Sequence, residues 1–176
     1  PRCVTPQRAA ELLARVPAFV TRVGLFVNEP EETVRAVLAQ AALDLLQFHG
    51  DETPDQCAAA GHPWMRAARM ATGFDLLDFA ARFQGAQALL LDAHVDGYGG
   101  GGKAFDWSLI PHGVGSPLVL SGGLNPANVI DGVTNVRPWA VDVSSGVELA
   151  KGVKNAALMR RFCKAVREAD VQLSNL

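Results

Sequence analysis

Cysteine is scarce in this chain. Three occur among 176 residues, Cys3, Cys57 and Cys163. An odd number with no metal-ligand spacing excludes a closed disulfide framework and a cysteine metal site. The three read as reduced thiols, and the protein therefore as cytoplasmic. Charged residues make up only 19 % of the chain and include no Lys/Arg block. With a formal net charge of −2, that argues against nucleic acid as the main partner. No apolar run approaches the roughly 18 residues of a membrane span, and no signal-peptide pattern is present. The GxxxxGK[ST], HExxH and GxSxG motifs are missing too. What remains is a chain 49 % hydrophobic, suited to one domain with a sizeable core.

Strand-like and helix-like segments alternate along it. Strands are expected at Val20–Val27, Leu43–Phe48, Trp64–Met70, Ala88–Asp92, Leu118–Leu120 and from Ala140. Helices are expected after Thr5, over Pro30–Gln40, after Thr53, over Leu76–Phe83, from Asn125 to about Gly132, and after Asn155. Asp106 to Ile110 reads as a short helix at most. Thr53-Pro-Asp-Gln56 has the form of a capping box with proline in the first turn. In the last helix Leu158, Phe162 and Val166 recur every four residues, which marks one buried face. Such alternation points to an α/β fold with a parallel sheet.

Two strand exits stand out. Leu118-Val-Leu-Ser-Gly-Gly-Leu124 and Ala140-Val-Asp-Val-Ser-Ser-Gly-Val-Glu148 are apolar runs that end in glycine and serine. Such ends let backbone N–H groups approach an anion. Two of them side by side form the phosphate site of many (β/α)8 barrels. Phosphate contact is therefore expected at Gly122, Gly123, Ser144, Ser145 and Gly146. A closed barrel has eight strands and about 200 to 250 residues, whereas only six strands are legible. An open six-strand sheet would leave two edges unpaired.

Three further residues lie at strand ends. Asp92 closes the apolar run Leu89-Leu-Leu, where barrel active sites lie. Its apolar flanks suit a general acid. His49 follows the second strand and reads as a substrate contact or a solvated side chain. Alternation places Asp142 and Ser144 on one face of the last strand. Cys57 and Cys163 fall within helices and read as packing residues. Lys103, in the glycine-rich stretch Gly97–Lys103, reads as solvated. No metal site is expected.

In order and spacing, several segments together resemble the N-(5'-phosphoribosyl)anthranilate isomerases of tryptophan biosynthesis. They are Pro1-Arg2 before Thr5-Pro6, Gly24-Leu-Phe-Val-Asn28, Leu46-Gln-Phe-His-Gly-Asp-Glu52, Leu90-Leu-Asp92, the glycine-rich loop before Phe105-Asp-Trp107, Ser121-Gly-Gly-Leu-Asn-Pro126 and Val141–Glu148. The resemblance implies a (β/α)8 TIM barrel and a cofactor-free Amadori rearrangement of a phosphoribosyl anthranilate. It assigns Asp92 as general acid, Arg2 to the anthranilate carboxylate, and His49 and Asp142 to the substrate pocket. It implies a small-molecule substrate and a monomer or homodimer, with no nucleic acid and no membrane.

Two departures accompany it. Gly101 stands where the family usually has threonine. The family's Lys-x-Cys-Gly segment, which carries the cysteine general base, has no counterpart, and Cys3 is not its equivalent. The expectation is one barrel domain over residues 1–176 that is N-terminally incomplete by roughly 40 residues, a βα unit averaging about 30. The acid and the phosphate loops would then be present without the base, and the chain would be inactive or nearly so. Assaying it beside a chain carrying that segment checks this; equal turnover contradicts it. Two alternatives stand beside the isomerase. One is another phosphate-binding barrel enzyme, such as an indole-glycerol-phosphate synthase. That class is disfavoured because the strand ends carry His49, Asp92 and Asp142, not lysine. The other is a non-catalytic phosphate-ligand binder.

Overall fold

The computed structural model describes residues 2–93 and 104–175. The glycine-rich stretch with Gly101 and Lys103 lies outside the described residues. Six parallel strands form one sheet in sequential order. They are β1 (Val23–Phe26), β2 (Leu45–Phe48), β3 (Trp64–Met70), β4 (Leu89–Ala93), β5 (Leu118–Leu120) and β6 (Ala140–Val141). Helices α2 (Glu31–Leu38), α3 (Pro54–Ala59), α4 (Leu76–Arg82) and α5 (Val129–Val136) follow β1, β2, β3 and β5. Helix α1 (Pro6–Leu13) precedes the sheet and α6 (Ala156–Ser174) ends the chain. A two-stranded antiparallel ribbon, β7 (Glu148–Ala150) and β8 (Val153–Lys154), lies between β6 and α6. Its brevity hid it from the sequence reading.

Local chemistry explains the helix starts. Thr5 accepts from the Arg8 amide at the head of α1. Thr53 and Gln56 form the reciprocal capping box of α3. Asp75 caps α4, and Asn155 caps α6 through Ala157 and Leu158. The helix expected from Asn125 to Gly132 starts later and runs further. Asn125 and Asn128 spend their side chains on a turn, through Ala127 N to Asn125 Oδ1 at 2.8 Å and Asn125 N to Asn128 Oδ1 at 2.8 Å. Gly132 does not end the helix. It lets α5 lie close against Leu120 and Trp107, where a Cβ would come within 3.0 and 3.3 Å. Arg137, left-handed at φ 50°, ends α5 instead.

A sheet in strict sequential order with right-handed crossovers places all its crossover helices on one face. Phe48, Trp64, Ala68, Met70, Leu89 and Leu91 pack towards that helical layer with Leu76 and Phe83. No crossover helix is available to cover the other face. Yet Met65, Ala67, Leu90 and Val119 form a second core there, with Leu90 only 1 % exposed. The sheet buries that face by curling on itself, as a barrel wall does. At β1 the cover fails: Val23 and Leu25, of inward parity, are 43 % and 57 % exposed. Among the described residues β1 and β6 each have a single strand neighbour. At the amino ends of the first two strands Arg22 clasps Asp44 through its backbone N–H and its guanidinium.

Candidate active site

Period-two alternation fixes which side chains enter the concave face. From β2 these are Leu45 and Gln47, continued by His49. From β3 they are Met65, Ala67 and Arg69, and from β4 Leu90 and Asp92. Val119 and Ser121 follow from β5, and Ala140 and Asp142 from β6. Each strand from β2 to β6 is therefore apolar inward at its amino end and polar inward at its carboxyl end. That gradient places the chemistry at one rim.

Hydrogen bonds join this rim across the strands. His49 Nε2 lies 3.0 Å from Asp92 Oδ2, and Gln47 Nε2 lies 3.0 Å from His49 Nδ1. The other Asp92 oxygen accepts from the Ala93 amide at 2.9 Å. Asp92 thus sits among hydrogen-bond donors and not only among the apolar flanks its sequence context advertises. Ser121 Oγ donates to Asp142 Oδ2 at 2.9 Å. Arg69 donates to the Gly50 carbonyl at 3.0 Å and pairs with Asp51. Arg69 escaped the sequence reading because a cation inside a long strand looks like an edge or surface residue. Its parity with Asp92 was the available signal.

The two glycine-serine exits pack against each other. A Cβ on Gly146 would lie 1.9 Å from the Leu124 carbonyl oxygen, so only glycine lets the loops meet. Gly122, at φ 73°, would place a Cβ 2.4 Å from the Ala93 amide and 2.9 Å from Asp92 Oδ1. The Gly122 loop and Asp92 are thus in contact. Asn125 and Asn128 hold the Gly123 carbonyl at 3.3 and 3.1 Å. Among the described residues the N–H groups of Gly122, Gly123 and Ser144 have no hydrogen-bond partner. Such clustered donors are what an anion needs.

Two placements differ from expectation. Ser144 does not continue the strand beside Asp142, because β6 ends at Val141 and Ser144 turns away at φ −114°, ψ −83°. Lys154 holds it, with Nζ 2.8 Å from its carbonyl and 3.4 Å from its Oγ. Lys154 supplies the local positive charge that the overall composition withholds. Arg2 is engaged by Glu148 in a two-pronged pair, Nε to Oε1 at 3.1 Å and a terminal nitrogen to Oε2 at 2.8 Å. Lys154 joins the same carboxylate at 3.0 Å. Arg2 therefore stands beside the β6 exit, tied to a carboxylate of this chain. The Arg2 and Lys154 hydrogen bonds hold Glu148 down at about 2.

A folded-state value below the unfolded one means the pair stabilises above the ordinary glutamate range. That support is lost as the pH falls from there towards 2. The melting-temperature gap between the parent chain and Glu148→Gln should be widest near neutrality and close on acidification. A gap that is constant from pH 7 to pH 3 contradicts the pairing.

Cys57 lies buried in α3, and burial pushes its thiol up to about 11. Cys163 is exposed on α6, and Cys3 is exposed with its thiol 3.9 Å from the Val4 carbonyl. A packing role fits Cys57, whereas Cys163 lies on the outer face of its helix and does not pack as expected. Among the described residues no group of three or more His, Cys, Asp or Glu is arranged to hold a metal ion. No helix there is long and apolar enough to cross a membrane. A cavity of about 700 Å³ lies at the opposite end of β5, lined by Trp107, His112, Leu118 and Val136. It shares no residue with the rim.

Fold and rim together define the parallel (β/α)-barrel class, with polar groups gathered where enzymes of that class do their chemistry. The family model described as N-(5'phosphoribosyl)anthranilate (PRA) isomerase matches residues 1–165. The N-(5'-phosphoribosyl)anthranilate isomerase of Leptothrix cholodnii is 66 % identical over 172 residues, spanning 98 % of this chain and 78 % of the relative. The same enzyme from Methylibium petroleiphilum is 64 % identical, spanning 99 % and 82 %. Among solved structures, the phosphoribosyl anthranilate isomerase of Thermotoga maritima superposes with a TM-score of 0.85 at 37 % identity, covering 94 % of this chain and 82 % of that one. Another solved isomerase, holding reduced 1-(o-carboxyphenylamino)-1-deoxyribulose 5-phosphate, superposes at 0.82 with 35 % identity, covering 94 % and 80 %. The chain belongs to the N-(5'-phosphoribosyl)anthranilate isomerase family, whose members are isomerases of tryptophan biosynthesis.

Proposed function

We propose that the carboxyl rim of this sheet binds a phosphoribosyl anthranilate and opens its ribose ring, with Asp92 as the general acid. The observation that carries this reading is the contact between Asp92 and the Gly122 loop. It sets the acid beside a cluster of anion-seeking N–H groups, as a phosphorylated sugar requires.

The Asp92 carboxyl donates its proton to the ring oxygen. The bond from C1 to that oxygen breaks as the anilino nitrogen's lone pair forms a C1–N double bond. A base then removes the C2 proton to give an enolamine, which tautomerises to the ketone. No oxidant, reductant or cofactor is needed, because the protons lost from C2 and from its hydroxyl are balanced by those gained at C1 and the ring oxygen. Gly122, Gly123, Ser144, Ser145 and Gly146 hold the phosphate, and Lys154 supplies positive charge beside Ser144. His49 and Asp142 line the sugar. Arg2 meets the anthranilate carboxylate by exchanging it for Glu148, a planar charge-assisted contact in both cases. The setting is cytosolic, in keeping with three unpaired thiols.

The test is calorimetric titration of the chain with the reduced product analogue, repeated in excess inorganic phosphate. Binding that phosphate weakens competitively is expected. An analogue that fails to bind, or whose binding ignores phosphate, overturns the reading.

A further inference from the structure

Gln47 is one of few polar residues in the buried part of the sheet, 7 % exposed. It pairs in register with Leu25 on one side and Met65 on the other. An amide among such neighbours must find a partner or bear the cost of desolvation. Its partner is His49 Nδ1, at 3.0 Å. Two-residue spacing puts both side chains on the concave face. The far side of the same imidazole meets Asp92 Oδ2, also at 3.0 Å.

We infer that Gln47 is a positioning residue that fixes His49 as the neutral tautomer protonated at Nε2, and so keeps the acid proton of Asp92 available to substrate. The inference rests on the role proposed above for Asp92. With the amide nitrogen of Gln47 donating to it, Nδ1 carries no hydrogen. The neutral ring must then hold its proton at Nε2 and donate to Asp92 Oδ2. That lone pair of Asp92 is occupied, as is the Oδ1 lone pair that takes the Ala93 amide. A proton arriving on Asp92 has only the remaining positions, which face away from both donors. It cannot pass to Nε2, because that nitrogen has no free lone pair. An imidazolium would need a hydrogen on Nδ1, facing the Gln47 N–H. Gln47 thereby denies His49 the part of proton sink. Among the described residues the charged groups around the pair are Arg69 from β3, in register with Asp92 and tied to Asp51, and Asp142 beyond Ser121. β1 contributes only the apolar Val23 and Leu25 on this side.

Nitrogen-15 NMR of the histidine rings in the intact chain tests this without turnover. In the parent protein His49 should show a protonated Nε2 and a bare Nδ1 at neutral pH. Gln47→Glu, nearly identical in shape, replaces the donor with an acceptor. It should put a hydrogen on Nδ1. Gln47→Met, which removes the donor, should blur the tautomer preference. A parent ring protonated at Nδ1 overturns the inference outright, whatever the variants do. So does a folded Gln47→Glu protein with an unchanged tautomer. Failure here with the analogue still binding dismisses Gln47 alone. Loss of analogue binding in the parent dismisses the functional reading.

Discussion

Arg66→Met should destabilise the protein by about 3 kcal/mol, the low end of what breaking a buried ion pair costs. Arg66 projects from β3 into the layer between sheet and α4, with its side chain 5 % exposed and Glu52 4 % exposed beside it. Its terminal nitrogens donate to the carbonyls of Phe48, Ala67 and Gly50 at 2.9, 3.1 and 2.9 Å. The guanidinium lies over the rings of Phe79 and Phe83, at 5.7 and 5.1 Å from their centroids. Burial pulls the Arg66 value down, but an arginine in contact with carbonyls and a carboxylate stays charged. Its removal takes the buried cation from Glu52 and a donor from each of the three carbonyls, of which Gly50 keeps Arg69. Glu52 keeps two amide donors, Asn28 at 2.6 Å and Gly50 at 2.9 Å, which is why the low end applies. Urea unfolding measures the loss. Arg82→Met, on the exposed face of α4, is the control and should shift stability by less than about 0.5 kcal/mol. Equal effects from the two substitutions contradict the buried role.

Asp92→Asn should cost about 10²- to 10⁴-fold in turnover, the usual worth of a positioned acid. Asparagine preserves the shape, and its single oxygen can keep the Ala93 amide while its amide nitrogen turns to His49, so the strand end and the glycine loop stay in place. It cannot give up a proton. The loss should therefore fall on kcat, with analogue binding changed only slightly. Turnover is followed by formation of the ketone product. If the parent chain is too slow to follow, it is compared after adding the amino-terminal segment of the Leptothrix cholodnii relative. A variant that loses analogue affinity and turnover in the same proportion places Asp92 in binding instead.

Much of the architecture was legible because parallel strands buried on both faces are short apolar runs. Trp64–Met70 and Leu89–Ala93 are of that kind. The Thr53 box and the Asn155 cap were legible because capping chemistry is local. Asp92 and the two glycine-serine exits were legible because each directly follows such a run. What the sequence hid depends on contacts distant in the chain. Nothing near Arg2 announces Glu148, which lies 146 residues away. Nothing near Ser144 announces that the strand ends at Val141 or that Lys154 bonds to it. Arg66 and Arg69 sit three apart on one strand, yet Arg66 enters the helical layer and Arg69 the rim, a difference set by parity. The turn at Asn125 was misjudged because an Asn-Pro pair serves a turn as readily as a helix start.

One measurement tests most directly that a single rim holds both the acid and the phosphate loops. It is amide and histidine-ring NMR of the labelled chain as the reduced product analogue is added. The amides of Gly122, Gly123, Ser144, Ser145 and Gly146 should move together with the His49 ring, at the same ligand concentration. Changes clustered around Trp107 and His112, at the far end of β5, with the two loops and His49 unmoved, would contradict it.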